Sequence, residues 1–221
     1  MPHPYWPLFD LEVRTPRLTL APITDERAVE LVALVAEGIH DPDVMPFGMP
    51  WTRAESPTLE RNSLQFYWRC RAEVSPKDWT INFAVVVDGV VVGSTGLLAT
   101  DFGRLRQFET GSWLGRAHQG KGIGKEMRVA TLAVGFDGFG AEWATTAAWH
   151  DNGASLGVTR SLGYAEQGHR RMVRDDRFGD TMLGFEMSRE HYRSRLRRDD
   201  IELLGVEPVR EMLGISPPSD D

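Results

Sequence analysis

Residues 113–127 read Trp-Leu-Gly-Arg-Ala-His-Gln-Gly-Lys-Gly-Ile-Gly-Lys-Glu-Met: the end of an apolar strand, a glycine-rich loop and the start of a helix. Glycines in such a loop let the main chain approach a ligand with no Cβ in the way. The helix that follows presents unpaired N–H groups and the positive end of its dipole. Together they form a seat for a phosphate or diphosphate. Two phosphate loops are excluded by spacing. A nucleotide-triphosphate loop needs Gly-x-x-x-x-Gly-Lys followed by Ser or Thr. Here Lys125 is followed by Glu126, and the first glycine of that pattern falls on Gln119. A dinucleotide fingerprint needs Gly-x-Gly-x-x-Gly near the start of a βαβ unit, whereas Gly120, Gly122 and Gly124 are spaced by two and lie halfway along the chain.

The remaining pattern is Gln-x-x-Gly-x-Gly, met by Gln119, Gly122 and Gly124. It resembles the diphosphate loop of the GNAT superfamily of N-acetyltransferases. Asn152-Gly153-Ala154-Ser155 followed by Leu162-Gly163-Tyr164 is similar to that family's second motif, and Glu109-Thr110-Gly111-Ser112-Trp113-Leu114 resembles the Glu-x-Gly-Tyr-Trp-Leu strand of its RimJ/RimL-like branch. The three segments come in the family's order, and the resemblance covers roughly residues 11–190. The resemblance implies a mixed α/β (α+β) GNAT fold: a mostly antiparallel central sheet flanked by helices, with a V-shaped splay between the strands near 107–115 and 141–149. It also implies an acyl-CoA co-substrate, acetyl-CoA or, by likeness to an actinobacterial subgroup, succinyl-CoA. Homodimerisation is a further expectation of the resemblance.

Acyl transfer to an amine requires that the amine lose a proton, that a donor meet the charge developing on the carbonyl oxygen, that the thiolate gain a proton or hydrogen bond, and that the reactants be aligned. By position, the resemblance makes Glu109 the general base; the alternative is an ion pair with Arg104 or Arg106 at a strand end. Many relatives carry a tyrosine seven residues after the motif asparagine. This chain has Thr159 there. Ser155, in the first turn of its helix, is the candidate to assist the leaving sulfur, with a helix-start hydrogen bond as its other use; Tyr164 is expected in the core. The resemblance also implies that the backbone of Trp113 and Leu114 pairs with the pantetheine arm like an added strand. The N–H groups of Gln119, Gly120, Lys121, Gly122, Ile123, Gly124 and Lys125 would surround the diphosphate, with Asn152 orienting the pantetheine and Arg160 approaching the adenosine. Residues 40–52, proline-stiffened and aromatic, would wall the acceptor pocket through Met45, Phe47 and Trp51, or else form an ordinary packed loop. His40, His118 and His150 have no metal-ligand spacing, so no metal is expected.

The elements that must hold these groups follow from periodicity. A strand is expected over 17–22 and a helix capped by Thr24 with an apolar stripe Ala28, Leu31, Val32, Val35 and Ile39. A second helix starts at Ser56-Pro57. Strands over 79–87 and 90–99 join at an Asp88-Gly89 turn. A polar loop over 100–106 leads to the strand at 107–115. The helix from Gly122 carries Ile123, Met127, Ala130 and Val134 on one face. A strand over 141–149, a short helix capped by Asn152 and strands near 165–174 and 181–188 complete the expected domain, 1–190. Residues 191–221 form a C-terminal extension, a helix that straps the domain, covers the acceptor site or meets a dimer partner, with a disordered tail from 216.

The chain has 221 residues, 41% of them hydrophobic, enough for a sizeable core, and a net charge of −7. An acidic balance disfavours nucleic acid, which needs clustered Lys and Arg, and mildly suits a cationic amine acceptor: a protein N-terminus, a lysine or a small amine. The basic residues over 189–198 read as the solvated face of a helix. No apolar run reaches the ~20 residues of a membrane span and no signal-peptide pattern opens the chain, so a cytoplasmic protein is expected. The one cysteine, Cys70, permits no internal disulfide and has no catalytic context. The functional expectation is an acyl-CoA-dependent N-acyltransferase acting by direct attack; the alternative is a noncatalytic acyl-CoA-binding sensor.

Overall fold

The computed structural model describes residues 2–175 and 177–216. The strands are β1 (Glu12–Arg14), β2 (Thr19–Pro22), β3 (Asp78–Val87), β4 (Val90–Thr100), β5 (Gln107–Leu114), β6 (Trp143–Trp149), β7 (Ala165–Arg174), β8 (Arg177–Ser188) and β9 (Glu202–Leu204). The helices are α1 (Asp25–Ala36), α2 (Thr58–Ala72), α3 (Phe102–Leu105), α4 (Ile123–Ala133), α5 (Gly153–Ser161), α6 (Arg189–Arg195) and α7 (Val206–Leu213). The sheet order is β7-β8-β6-β5-β4-β3-β2-β1-β9. Every pairing is antiparallel except β5 with β6, the two strands that flank α4. This is the mixed GNAT architecture expected from the motifs.

Local chemistry explains the elements that frame the site. Thr24 caps α1, its hydroxyl accepting the Arg27 N–H at 3.4 Å, and Ala28, Leu31, Val32 and Val35 are buried as the stripe requires. The expected Ser56 cap of α2 does not form; the Ser56 hydroxyl donates instead to Glu60 at 2.6 Å. Asp88 and Gly89 both take positive φ, 50° and 79°, the geometry of a tight hairpin. A register shift at Val85/Val86 leaves Ile81, Phe83 and Val85 buried and Val87 only partly so. Burial of Ile123, Met127, Ala130 and Val134 seats α4 on one face of the sheet. On the opposite face α1 and α2 pack against Ala84, Val91 and Trp113.

Three elements differ from expectation. The loop at 100–106 contains the one-turn α3, because Phe102 is drawn in against Trp79 and Phe139 with ring centroids 5.5 and 6.5 Å away. An additional strand, β1, precedes β2. Residues 202–204 form β9, which pairs with β1 at the sheet edge farthest from β7, and α7 buries Val206, Val209 and Leu213 in the main core. β9 and α7 of the extension therefore strap their own domain, while its Arg198 reaches Glu126 at the start of α4 at 4.0 Å. Of the extension's expected disordered end, 216–221, residues 217–221 lie outside the described residues.

Candidate active site

β5 and β6 pair at only three positions, Gln107↔Trp143, Phe108↔Ala144 and Glu109↔Thr145. One further step is bridged by hydroxyls: Thr146 Oγ1 donates to the Thr110 carbonyl at 3.1 Å and Thr110 Oγ1 to the Thr145 carbonyl at 3.3 Å. Past that point β5 stays with β4 as far as Leu114, and β6 stays with β8 as far as Trp149. The strands part, as the expected splay requires. Backbone direction alternates along a strand. The Thr110 carbonyl faces β6, whereas the Trp113 carbonyl lies against Gly93 of β4 and the Leu114 carbonyl accepts from Gln119. Ser112 therefore turns its N–H and C=O into the gap, and Leu114 its N–H. Trp113 faces β4 with its main chain and contributes its side chain, 6.4 Å from the Trp51 ring.

The glycine loop lies at the mouth of this gap. Gly122 occupies the helix N-cap at φ 79° with no side-chain cap. Among the described residues the N–H groups of Gly120, Lys121 and Gly122 donate to no backbone carbonyl, and the first N–H to turn back is that of Glu126, to Gly122 at 3.2 Å. The first-turn groups of Ile123, Gly124 and Lys125 are unpaired by helix geometry. That leaves six N–H groups without a backbone partner among the described residues, flanked by the exposed Lys121 and Lys125. Gln119 plays a different part from the rest. Its Nε2 donates to the carbonyls of Ile39 and Leu114 at 2.9 Å each and its N–H goes to the Arg116 carbonyl at 3.3 Å, so it braces the loop against the segment after α1 and the end of β5.

Glu109 is exposed on the open face of β5, level with Leu98 and Thr145, and makes no ion pair among the described residues; Arg104 and Arg106 do not engage it. Asn152 caps α5, its Oδ1 accepting the Ser155 N–H at 3.1 Å. The Ser155 hydroxyl has no protein partner among the described residues and is half-buried. Val158 of α5 approaches Gly124 of α4, closing the far side of the mouth. Thr159 and Tyr164 are buried with unpartnered hydroxyls, Tyr164 in the main core. Arg160 is exposed and pairs with Glu166 at 3.6 Å.

The 40–52 loop is anchored at three points. Arg174, with no exposed surface, donates to the Met45 carbonyl at 2.8 Å and pairs with Asp151 and Asp180 at 2.7 and 3.0 Å. Its guanidinium lies over the Trp149 ring at 5.0 Å. Trp149 Nε1 donates to the Phe47 carbonyl at 3.0 Å, and Arg53 bridges the Pro42 carbonyl and Asp175 at 2.9 Å each. The Thr181 N–H, with help from Arg174 and His150, holds the Asp180 carboxyl below the usual carboxylate range. Phe47 and Trp51 are half-buried with ring centroids 5.1 Å apart, while Met45 is completely buried behind them. No group of three His, Cys, Asp or Glu able to hold a metal occurs among the described residues, and none of their helices is long and apolar enough to cross a membrane.

Two buried or bridging arginines were not legible from the motifs. Arg128, 4% exposed on α4, spans the floor of the splay. Its Nη1 donates to Thr110 Oγ1 at 2.9 Å and Thr146 Oγ1 at 3.2 Å, its Nη2 to Ser112 Oγ at 3.1 Å, and its buried Nε has no partner. The signal was present: residues 129–134 are uniformly apolar or small, the pattern of a helix buried all round, and Arg128 lies at its start. Arg17, ahead of β2, reaches the glycine loop itself, donating to the Lys121 carbonyl at 3.0 Å.

The site is thus a strand pair that opens in front of an uncapped helix terminus, with a carboxylate on one strand and a hydroxyl at the start of the next helix. Comparison with known proteins gives the family. Residues 17–165 match the acetyltransferase (GNAT) domain, and the chain belongs to that family. Its fold is shared by a GCN5-related N-acetyltransferase from Brucella melitensis (19% identity, TM-score 0.65, covering 82% of this chain and 80% of that one). It is shared also by a GNAT-family acetyltransferase from Bacillus anthracis (17%, 0.64, 81% and 99%). A third is RimL, a ribosomal L7/L12 α-N-protein acetyltransferase in complex with coenzyme A (13%, 0.63, 79% and 95%).

Proposed function

We propose that this acyltransferase moves a short acyl group from coenzyme A to a primary amine by direct attack, with Glu109 as general base. The observation that carries the reading is the early end of the β5–β6 pairing beside six N–H groups, Gly120 to Lys125, that have no backbone partner among the described residues. The diphosphate lies on those groups. The pantetheine enters the gap and pairs with Ser112 and Leu114, while Asn152 holds the start of α5 and Arg160 flanks the adenosine. The amine approaches over the open face of β5, where Gly111 leaves its path clear, between Glu109 and the Phe47–Trp51 wall. A proton passes from the amine to Glu109 directly or through water. The nitrogen attacks the carbonyl carbon, the C–N bond forms, and the Ser112 N–H receives the developing oxyanion. The C–S bond then breaks, the proton still carried by the attacking nitrogen passes through water to the departing sulfur, and Ser155 donates a hydrogen bond to that sulfur.

Arg128 bears on the donor. A buried guanidinium without an anionic partner is costly, and here three donors are spent on neutral hydroxyls while Nε and one Nη2 hydrogen are left over. Nε is enclosed, so the remaining Nη2 hydrogen is the donor left for an acyl group that ends in a carboxylate, and this favours succinyl-CoA over acetyl-CoA. A thiol-release assay with both donors, over a panel of peptide N-termini, lysine and small polyamines, tests the proposal. Turnover faster with succinyl-CoA, with that preference lost in Arg128→Met, is expected. Binding of coenzyme A with no thiol release for any amine would instead favour the noncatalytic sensor.

A further inference from the structure

Arg17 lies 55% exposed beside the glycine loop and makes two directed contacts. Nη2 donates to the Lys121 carbonyl at 3.0 Å, and Nη1 to Glu126 Oε2 at 3.1 Å. Glu126 is itself held, its Oε1 accepting from Thr15 Oγ1 at 2.7 Å, and Thr15 belongs to the turn that joins β1 to β2, its hydroxyl accepting the Leu18 N–H at 3.1 Å. The carboxylate is 8% exposed. One guanidinium thus clamps the loop and the first turn of α4 to a sheet turn more than a hundred residues away in sequence.

The first contact has a specific consequence. In a planar trans peptide the C=O and the following N–H point in opposite directions. Drawing the Lys121 carbonyl toward Arg17 therefore turns the Gly122 N–H the other way, and it removes a partial negative charge from the face that an anion must approach. Gly122 itself stands at φ 79°, open on that side but for Arg17 Nη1, which a Cβ would meet at 3.5 Å.

We infer that Arg17 is a positioning residue for the diphosphate seat: it sets the orientation of the 121–122 peptide so that the Gly122 N–H faces the ligand. This rests on the reading of that loop as the coenzyme A site. The two-point geometry demands a fork, and lysine, a single point charge, does not reproduce it.

The test is calorimetric titration of wild type, Arg17→Met and Arg17→Lys with coenzyme A, beside steady-state kinetics and ligand-free thermal midpoints. Both variants are expected to lose ten-fold or more in coenzyme A affinity, raising KM for the acyl donor while kcat and KM for the amine stay within two-fold. Affinity restored in Arg17→Lys would overturn the inference in favour of simple charge attraction. Unchanged affinity in Arg17→Met would overturn it outright. If the variants are unstable, Glu126→Gln, which keeps the bulk and weakens the hold on Arg17 together with the contacts to Thr15 and Arg198, is expected to show the same donor-specific KM effect in smaller measure; a uniform loss of kcat and both KM values would assign Arg17 to fold stability alone. Failure of the wild type to bind coenzyme A would refute the functional reading, a result distinct from all of these.

Discussion

Gly122→Ala tests the seat with a magnitude set by its backbone. Gly122 is the N-cap of α4 at φ 79°, a conformation that costs a residue bearing a Cβ about 1–2 kcal/mol. Space is not the obstacle, since an added Cβ would meet only the flexible end of Arg17 at 3.5 Å. The strain is therefore the whole perturbation, and it divides in one of two ways. If the unliganded loop relaxes out of the left-handed region, stability is kept and the ligand must restore the strained form. Coenzyme A affinity then falls by about 5- to 30-fold, the equivalent of 1–2 kcal/mol. If Arg17 and Gln119 hold the loop in place, the ligand-free protein loses that amount of stability and affinity is spared. The bracing seen at Lys121, Ile39 and Leu114 means the two losses together should amount to about 1–2 kcal/mol. Calorimetric titration gives the first and denaturant unfolding the second. A variant with both quantities unchanged would refute the assignment of Gly122 as a strained cap in the binding conformation.

Glu109→Gln should lower kcat/KM about a hundred-fold near neutral pH, and the loss should shrink as pH rises past the amine's own pKa, about 8 for an α-amine; pH-rate profiles of the two proteins check this. Ser155→Ala should cost less than about ten-fold in kcat with donor KM unchanged, read by steady-state kinetics. The Asp180 carboxyl is held below its ordinary range by the Thr181 N–H and Arg174, so its contribution is present above the unfolded value and lost as pH falls through the depressed one. Asp180→Asn should thus be less stable than wild type by about 2 kcal/mol at neutral pH, with the gap closing as the solution is acidified below about pH 4, measured by denaturant unfolding. Burial pushes the Cys70 thiol up, so alkylation of the native protein at neutral pH should be slow compared with the unfolded chain, followed by intact mass.

What the sequence disclosed was local. The Gly120–Gly124 spacing, the Asp88-Gly89 turn and the α4 stripe are each dictated by neighbours within a turn or two, and each reappears in the structure. What it concealed was long-range. β9 exists because Glu202–Leu204 finds a free edge at β1, and a three-residue strand carries no periodicity of its own. Phe102 folds α3 out of a polar loop because Trp79 and Phe139 wait beneath it. Arg17, Arg128 and Arg174 look alike in sequence, as solvated cations, yet one clamps the loop, one spans the splay and one anchors the acceptor wall. The apolar run after Arg128 hints at its burial; for Arg17 and Arg174 tertiary placement alone decides. Met45, expected to line the wall, is drawn behind it because its carbonyl is the acceptor that Arg174 needs.

The most direct test of the account is a crystal structure of the protein grown with coenzyme A. The diphosphate oxygens should lie within hydrogen-bond distance of the N–H groups of Gly122 to Lys125, with the thiol between β5 and β6 on the side of Glu109 and Ser155. Coenzyme A bound elsewhere on the surface, with the loop amides still facing solvent, would contradict it.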